Sequence, residues 1–400
     1  MFSKRSKRIF LDHASGTPIS ESVKRAMNRF GTSVNPGGIY KEAVAAKVTL
    51  ETSRRDIAAL FGALPDEIVF VPGATEANNL AIMGTVKAWQ DNHPDEIPHI
   101  ITTAIEHASV LEPFCELDRE GAEVDYLPVD REGRINPREL RNLIKPNTVL
   151  VSIAYANGEI GSVEDMRSIA KSIRHARKEQ GSAYPVFHTD AVQATLYLAD
   201  LDVRRLGVDL MTISGAKVYG PKKSAVLYLK RGTTIIPITF GGNQESTYWP
   251  GTEDVANIVG LAVALDEARS RQEQESDRLV AVKDYAITWI QDHLSGVTIN
   301  TPQEGEVLPH IVNLSIDGID HEELVIRLDA KGIAASVKSA CKSGEEGDSH
   351  VIRAIAKGDR PTGSIRFSMG RTTTRQDIDR VVKELEGIVD EMNNTYKKYY

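Results

Sequence analysis

The 400-residue chain has two cysteines, Cys115 and Cys341, few aromatic residues at 6%, and a net charge of -8. It also has no apolar run near the ~20 residues that cross a bilayer. Two cysteines exclude a disulfide framework, and in a reducing compartment they stay thiols. The acidic balance argues against a general nucleic-acid binder, which carries a basic surplus. Short apolar runs exclude membrane-spanning helices. The first eight residues, MFSKRSKR, carry Lys4, Arg5, Lys7 and Arg8, but Ile9-Phe10-Leu11 is stopped at once by Asp12. A signal peptide would continue with an apolar stretch, so the expectation is a solvated N-terminus and a cytoplasmic protein. No internal repeat, low-complexity segment or metal site is expected.

What is present is the composition of a globular chain, 41% hydrophobic and 26% charged, with a length that suggests two or three domains. Between about residues 50 and 260, short β-branched runs alternate with longer amphipathic segments such as 164–180. The strand candidates are 68–71, 99–103, 149–154, 186–188, 209–213 and 226–228. Several are apolar almost throughout, as strands buried on both faces of a parallel sheet are. The pattern predicts an α/β layer fold with a parallel-dominated sheet. Beyond it come a long helix over about 261–294, a strand at 311–316, a helix near 322–330, a Gly/Ser-rich stretch at 336–348, a strand at 364–368 and a last helix from Thr374. The expected division is a large domain over 15–260 and a smaller α+β domain made of 1–14 and 261–400.

In open α/β sheets, ligands bind beyond the carboxyl ends of the strands, so the polar residues that follow each strand are the candidates. The first strand runs into Pro72-Gly73-Ala74-Thr75-Glu76, a glycine turn opening a helix, which suits a phosphate. The next leads to Glu106-His107, and the third to Asn157-Gly158-Glu159. The fourth ends in Thr189-Asp190, with Gln193 close behind, and the fifth in Ser214-Gly215-Ala216-Lys217. Each has a bland reading when taken alone: a turn without an anion, a structural histidine, a buried Asp–Lys ion pair. Together on one sheet edge they form the set that pyridoxal-phosphate chemistry requires. An acid keeps the pyridine nitrogen protonated and a lysine condenses with the aldehyde.

The blocks GATEANNLAI (73–82), EHASVL (106–111), NGEIGSVED (157–165), HTDAVQ (188–193), SGAKVYGPK (214–222), SACKSG (339–344) and SIRFSMGR (364–371) resemble the cysteine desulfurases of the iron–sulfur cluster assembly type. These belong to the class V aminotransferase group of fold-type I pyridoxal-phosphate (PLP) enzymes. The resemblance runs from Phe10 to about Ile388. It implies a large domain with a mostly parallel seven-stranded sheet flanked by helices, plus a smaller α+β domain. Lys217 would be the Schiff-base lysine and the base for the substrate Cα proton, and Asp190 would pair with the pyridinium nitrogen. Gln193 would bond the ring 3′-oxygen, and His107 would stack on the ring and move protons. Ala74, Thr75 and Ser214 would hold the phosphate, and Asn157 would orient cofactor and substrate. Thr252 would reach the phosphate of the partner subunit in a homodimer. Arg366 would clamp the carboxylate of L-cysteine through a bidentate fork. Cys341 would take the sulfur as a persulfide, leaving alanine, and pass it to an acceptor or scaffold protein; Lys338 and Lys342 would favour its thiolate. Cys115, among Leu111, Phe114 and Leu117, is read as packing.

Four positions depart from the family pattern: Ala216 stands for a His, Trp249-Pro250 for Arg-Ser, Tyr40 for a His and Gly158 for an Asn. The first removes a phosphate ligand, so weaker cofactor binding is expected, and a specialised sulfur-donor role with it. Two alternatives stay open. One is another PLP-dependent lyase or aminotransferase reaction, which would need no protein thiol. The other is a weakly active scaffold partner.

Overall fold

The computed structural model describes residues 7–31, 34–337, 349–356 and 363–399. Its strands, in chain order, are β1 (Ile9–Phe10), β2 (Ile68–Val71), β3 (His99–Thr103), β4 (Glu123–Leu127), β5 (Thr148–Ser152), β6 (Val186–Asp190), β7 (Leu210–Ser214), β8 (Ala225–Leu229), β9 (Val297–Ile299), β10 (Ile311–Ile316), β11 (Ile333–Ala334) and β12 (Ile365–Ser368). Seven form one sheet in the order β2-β8-β7-β6-β5-β3-β4. The neighbours from β7 through β4 are parallel, and β8 runs antiparallel to β2 and β7. The expected fold class holds, and so does the mostly parallel seven-stranded sheet.

Burial on both faces explains why most of these strands are apolar runs. β5, β6, β7 and β8 have every residue buried. One face is covered by the helix Ala74–Asn92, which packs across β5 to β8 with Ala77, Leu80, Ala81 and Ile82 buried. Sequence reasoning missed β4. It is one of the two edge strands, and Glu123 and Tyr126 are exposed, so its run EVDYL lacks the continuous apolar signature.

β10 sits between β12 and β9 in an antiparallel three-stranded sheet, and β1 pairs in parallel with β11. The segment after β1 bridges Asp12 to Ser368, so the start of the chain is stitched to its C-terminal strands. The long helix, expected from Leu261, begins at Val255 instead, because Asp254 caps it by accepting from the backbone N–H of Asn257. It runs to His293, and its buried positions fall in two stretches, Val255–Ala268 and Leu279–Ile290. The helix packs against the helices Glu21–Asn28 and Lys41–Leu60 and against β10 and the final helix Arg375–Tyr399. No helix among the described residues is long and apolar enough to cross a membrane.

Candidate active site

The parallel strands end on one edge, and there the structure opens a cavity of about 330 Å³. Ala74, Thr75, His107, Asn157, Asp190, Gln193, Ser214, Lys217 and Arg366 all line it. Thr252 does not. It is exposed, and with Trp249 and Pro250 it lines an adjoining cavity of about 260 Å³ that shares only Pro72 and Lys223 with the first. Cys341 lies outside the described residues, as do Lys338 and Lys342.

Asp190 closes β6, and β7 runs beside it in parallel with Thr212 opposite Asp190. The chain leaving β7 turns immediately through the 3-10 segment Gly215–Lys217, so adjacent strands deliver Asp190 and Lys217 to one wall. The turn demands glycine. A Cβ on Gly215 would lie 2.3 Å from Ser224 Oγ and 2.8 Å from the Pro221 carbonyl. Asp190 is held by two donors: Asn78 Nδ2 to Oδ2 at 2.8 Å, and the Val192 backbone N–H to Oδ1 at 2.9 Å. Asn78 also donates to Ser109 Oγ at 2.8 Å, linking this carboxylate to the histidine that follows β3.

That histidine, His107, caps the helix Ala108–Arg119. Its Nδ1 accepts from the Ser109 backbone N–H at 3.1 Å and lies 2.8 Å from Ser109 Oγ. An Nδ1 that accepts carries its ring proton on Nε2 when neutral. Lys217 Nζ donates to the Ser15 carbonyl at 2.6 Å. Arg366, 2% exposed on β12, donates to the Gly158 carbonyl at 2.8 Å, to Asp12 Oδ1 at 2.8 Å and to Ser15 Oγ at 2.7 Å. Its Nε is buried without a partner among the described residues.

Asn157 and Gln193 are partly committed to the protein itself. Asn157 donates to the Ile105 carbonyl and accepts from the Glu159 and Ile160 backbone N–H groups at 2.8 and 3.0 Å, which shapes the 157–160 turn. Gln193 donates to the Ala14 carbonyl at 3.0 Å. Gly158 follows from that placement, because a Cβ there would sit 2.8 Å from Gln193 Nε2.

The phosphate end is a helix start. Gly73 caps the helix Ala74–Asn92 in an extended conformation and provides no side-chain cap bond. The first-turn N–H groups therefore have no intrahelical acceptor, and the positive end of the helix dipole lies at the cavity wall. Ser214, at the end of β7, lines the same cavity, its Oγ accepting from the Ala216 N–H at 3.3 Å. Ala216 contributes no side-chain donor.

Several lining residues were not assigned roles from sequence. Glu106 is 2% exposed. Its Oε1 accepts from Thr103 Oγ1 and from the Ala154 N–H, both at 2.9 Å, and its Oε2 is buried without a partner among the described residues. Burial raises its pKa to about 8, helped by the nearby negative charge of Asp190. Glu159, which accepts from Ser349 Oγ, and His350, whose Nε2 meets the Glu106 carbonyl at 3.0 Å, close the cavity from the C-terminal side. Asn78 was legible as a polar residue on an apolar helix face one turn after Ala74; Ser349 and His350 carried no sequence signal. Cys115, read as packing, is half-buried on the helix Ala108–Arg119. Its Sγ lies 3.7 Å from the Tyr126 hydroxyl, away from the cavity lining.

The residues fit a phosphorylated pyridine aldehyde. A carboxylate, an amine, a helix start rich in N–H donors and a buried guanidinium surround one cavity of suitable polarity. The family model described as Aminotransferase class-V matches residues 9–381. A cysteine desulfurase IscS of Dictyoglomus turgidum is 37% identical over 96% of this chain and 95% of its own. A cysteine desulfurase IscS of Methanosarcina thermophila is 36% identical over 98% and 94%. Among solved structures, a NifS-like protein superposes with a TM-score of 0.87 at 29% identity, covering 96% of this chain and 100% of that one.

Proposed function

The chain belongs to the class-V aminotransferase family, and from that premise we propose that it is a cysteine desulfurase. It binds PLP in this cavity and takes the sulfur of L-cysteine, giving L-alanine and a persulfide on Cys341. The observation that carries the reading is the delivery of Asp190 and Lys217, by adjacent parallel strands, to the wall of a cavity that also holds an uncapped helix start and Arg366.

The bound cofactor supplies an aldehyde that condenses with amines and a ring that takes up electron density from the substrate. The chain does the rest. Asp190, kept in place by Asn78 and the Val192 N–H, holds a proton at the ring nitrogen. Lys217 would hold the cofactor through its aldehyde and move the proton at the substrate Cα. His107, a lining residue with Nδ1 accepting from the chain, would stack on the ring and move protons. Arg366 binds the substrate carboxylate, aligned by Asp12, Ser15 and the Gly158 carbonyl. Gln193 and Asn157 contact the ring and the substrate with the donor capacity the protein leaves them. The first turn of the helix from Ala74, with Thr75 and Ser214, holds the phosphate.

The Cys341 thiolate takes the sulfur: the C–S bond of cysteine breaks, an S–S bond forms, and the former Cβ gains a proton to become the alanine methyl. The support for Cys341 is the SACKSG block within the family resemblance. The persulfide then passes to a sulfur acceptor. We further propose that residues 15–260 form the cofactor-binding domain and that 1–14 with 261–400 form the second. In the homodimer Thr252, exposed at the adjoining cavity, serves the neighbouring subunit.

The test is to incubate PLP-loaded protein with L-cysteine and a reductant, assaying alanine and sulfide in the wild type, Cys341→Ala and Lys217→Ala. Both products from the wild type and neither from the variants supports the assignment. A visible cofactor band without alanine overturns the desulfurase reading in favour of another PLP reaction. No band at all overturns the cofactor reading.

A further inference from the structure

We propose that Lys223 anchors the cofactor phosphate and takes the place of the side-chain donor that Ala216 does not supply. This rests on the PLP reading above. Lys223 lies in the connection between Lys217 and β8, and β8 is the reversed strand of the large sheet. Because β8 begins where β7 ends, with Ala225 opposite Ser214, its approach puts Lys223 on the same carboxyl edge as Ser214 and Lys217. The side chain is one of two residues lining both cavities, between the helix start at Gly73 and the Trp249–Thr252 segment.

Three observations give that position a charge role. First, the backbone of Lys223 is left-handed, with φ of 58°, a conformation that favours glycine. The connection is tightly fixed there: Ser224 Oγ donates to the Pro221 carbonyl at 2.7 Å, and the Gly215 N–H donates to the Ser224 carbonyl at 2.9 Å. Lysine thus occupies a position where a residue without Cβ would fit with less strain. Second, Lys223 forms no ion pair among the described residues, whereas Arg366, the other cation besides Lys217 lining the cavity, is bound to Asp12. Third, the helix start has an acid against it. Glu76 folds back so that a Cβ on Gly73 would lie 2.6 Å from its Oε2. A phosphate carrying between one and two negative charges would meet that carboxylate as well as the helix N–H groups, and a cation lining the same cavity offsets the repulsion.

The test uses equilibrium binding to the apo-protein, followed by the cofactor's visible absorbance, with PLP and phosphate-free pyridoxal as the two probes. Lys223→Gly removes the charge while relaxing the left-handed backbone, so the variant folds at least as well as the wild type, which thermal melting of the apo-protein checks. The expected result is PLP affinity weakened about tenfold or more, pyridoxal affinity unchanged, and most of the loss restored in Lys223→Arg. Equal weakening of both probes, or no change in either, overturns the assignment of Lys223 while leaving the cofactor reading intact. A wild type that binds neither probe overturns the cofactor reading and this inference with it.

Discussion

Replacing Glu106 by Gln changes the pH dependence of stability in a direction that the burial of this carboxyl dictates. Glu106 lines the cavity with one oxygen bonded to Thr103 and to the Ala154 N–H and the other without a partner among the described residues. Burial raises its pKa to about 8 from the ordinary 4.5. A folded carboxyl with a raised pKa holds its proton more tightly than the unfolded chain does. Its contribution is therefore full below pH 4.5 and is lost progressively as pH rises through 8. At about 1.4 kcal/mol per pH unit, the loss reaches roughly 3 kcal/mol at pH 7 and levels off above pH 8. Glutamine keeps the accepting oxygen and does not titrate, but leaves a buried amide N–H without a partner, which costs about 1–3 kcal/mol at any pH. Wild type is therefore ahead by at most about 2 kcal/mol at pH 5.5, and the order reverses by pH 8.5, where the loss exceeds the cost of the amide. Urea-unfolding midpoints of the two proteins at pH 5.5, 7 and 8.5 check this, since other titrating groups largely cancel in the difference. A wild-type advantage that stays constant across that range would show that Glu106 ionises in the folded protein as an ordinary surface acid does, and would refute the argument.

Arg54 binds Glu245 through two bonds of 2.7 and 2.8 Å and also donates to the Ile68 carbonyl, and Glu245 accepts from the Phe70 N–H beside the site. Arg54→Met strands a carboxylate whose side chain is 3% exposed and should cost about 3–5 kcal/mol in urea unfolding. Arg366→Lys keeps the charge but cannot reach Asp12, Ser15 and the Gly158 carbonyl together. Steady-state kinetics with L-cysteine should show KM raised about tenfold or more, a charge-assisted bond's worth, with the cofactor band unchanged. On the acid side, burial lowers the pKa of His13 to about 4 and that of His188 to about 3. The unfolded chain protonates them first, so stability is lost as pH falls below 6.5. His188→Gln should flatten the acid limb of melting temperature against pH, and an unchanged limb would show that His188 is not buried neutral.

How far the sequence could be read depended on whether a residue's role is local. β2 and β3 were legible to the residue because each is a buried, β-branched run bounded by turn residues, and β4 was lost because Glu123 and Asp125 break its apolar run. Asp190, Lys217, His107 and Ser214 could be nominated since each follows a strand, and the parallel sheet carries all such positions to one edge. The supporting contacts are of another kind. Asn78 reaching Asp190, Ser15 reaching Lys217 and Asp12 reaching Arg366 join residues far apart in the chain, through packing that no spacing rule encodes. Lys223 shows the consequence. Viewed along the chain it is one of two adjacent lysines in a polar connection, and Ala216 is a missing ligand. Only the reversed direction of β8 brings the two to the same wall, where the missing donor and a cation without an ion pair among the described residues become one observation.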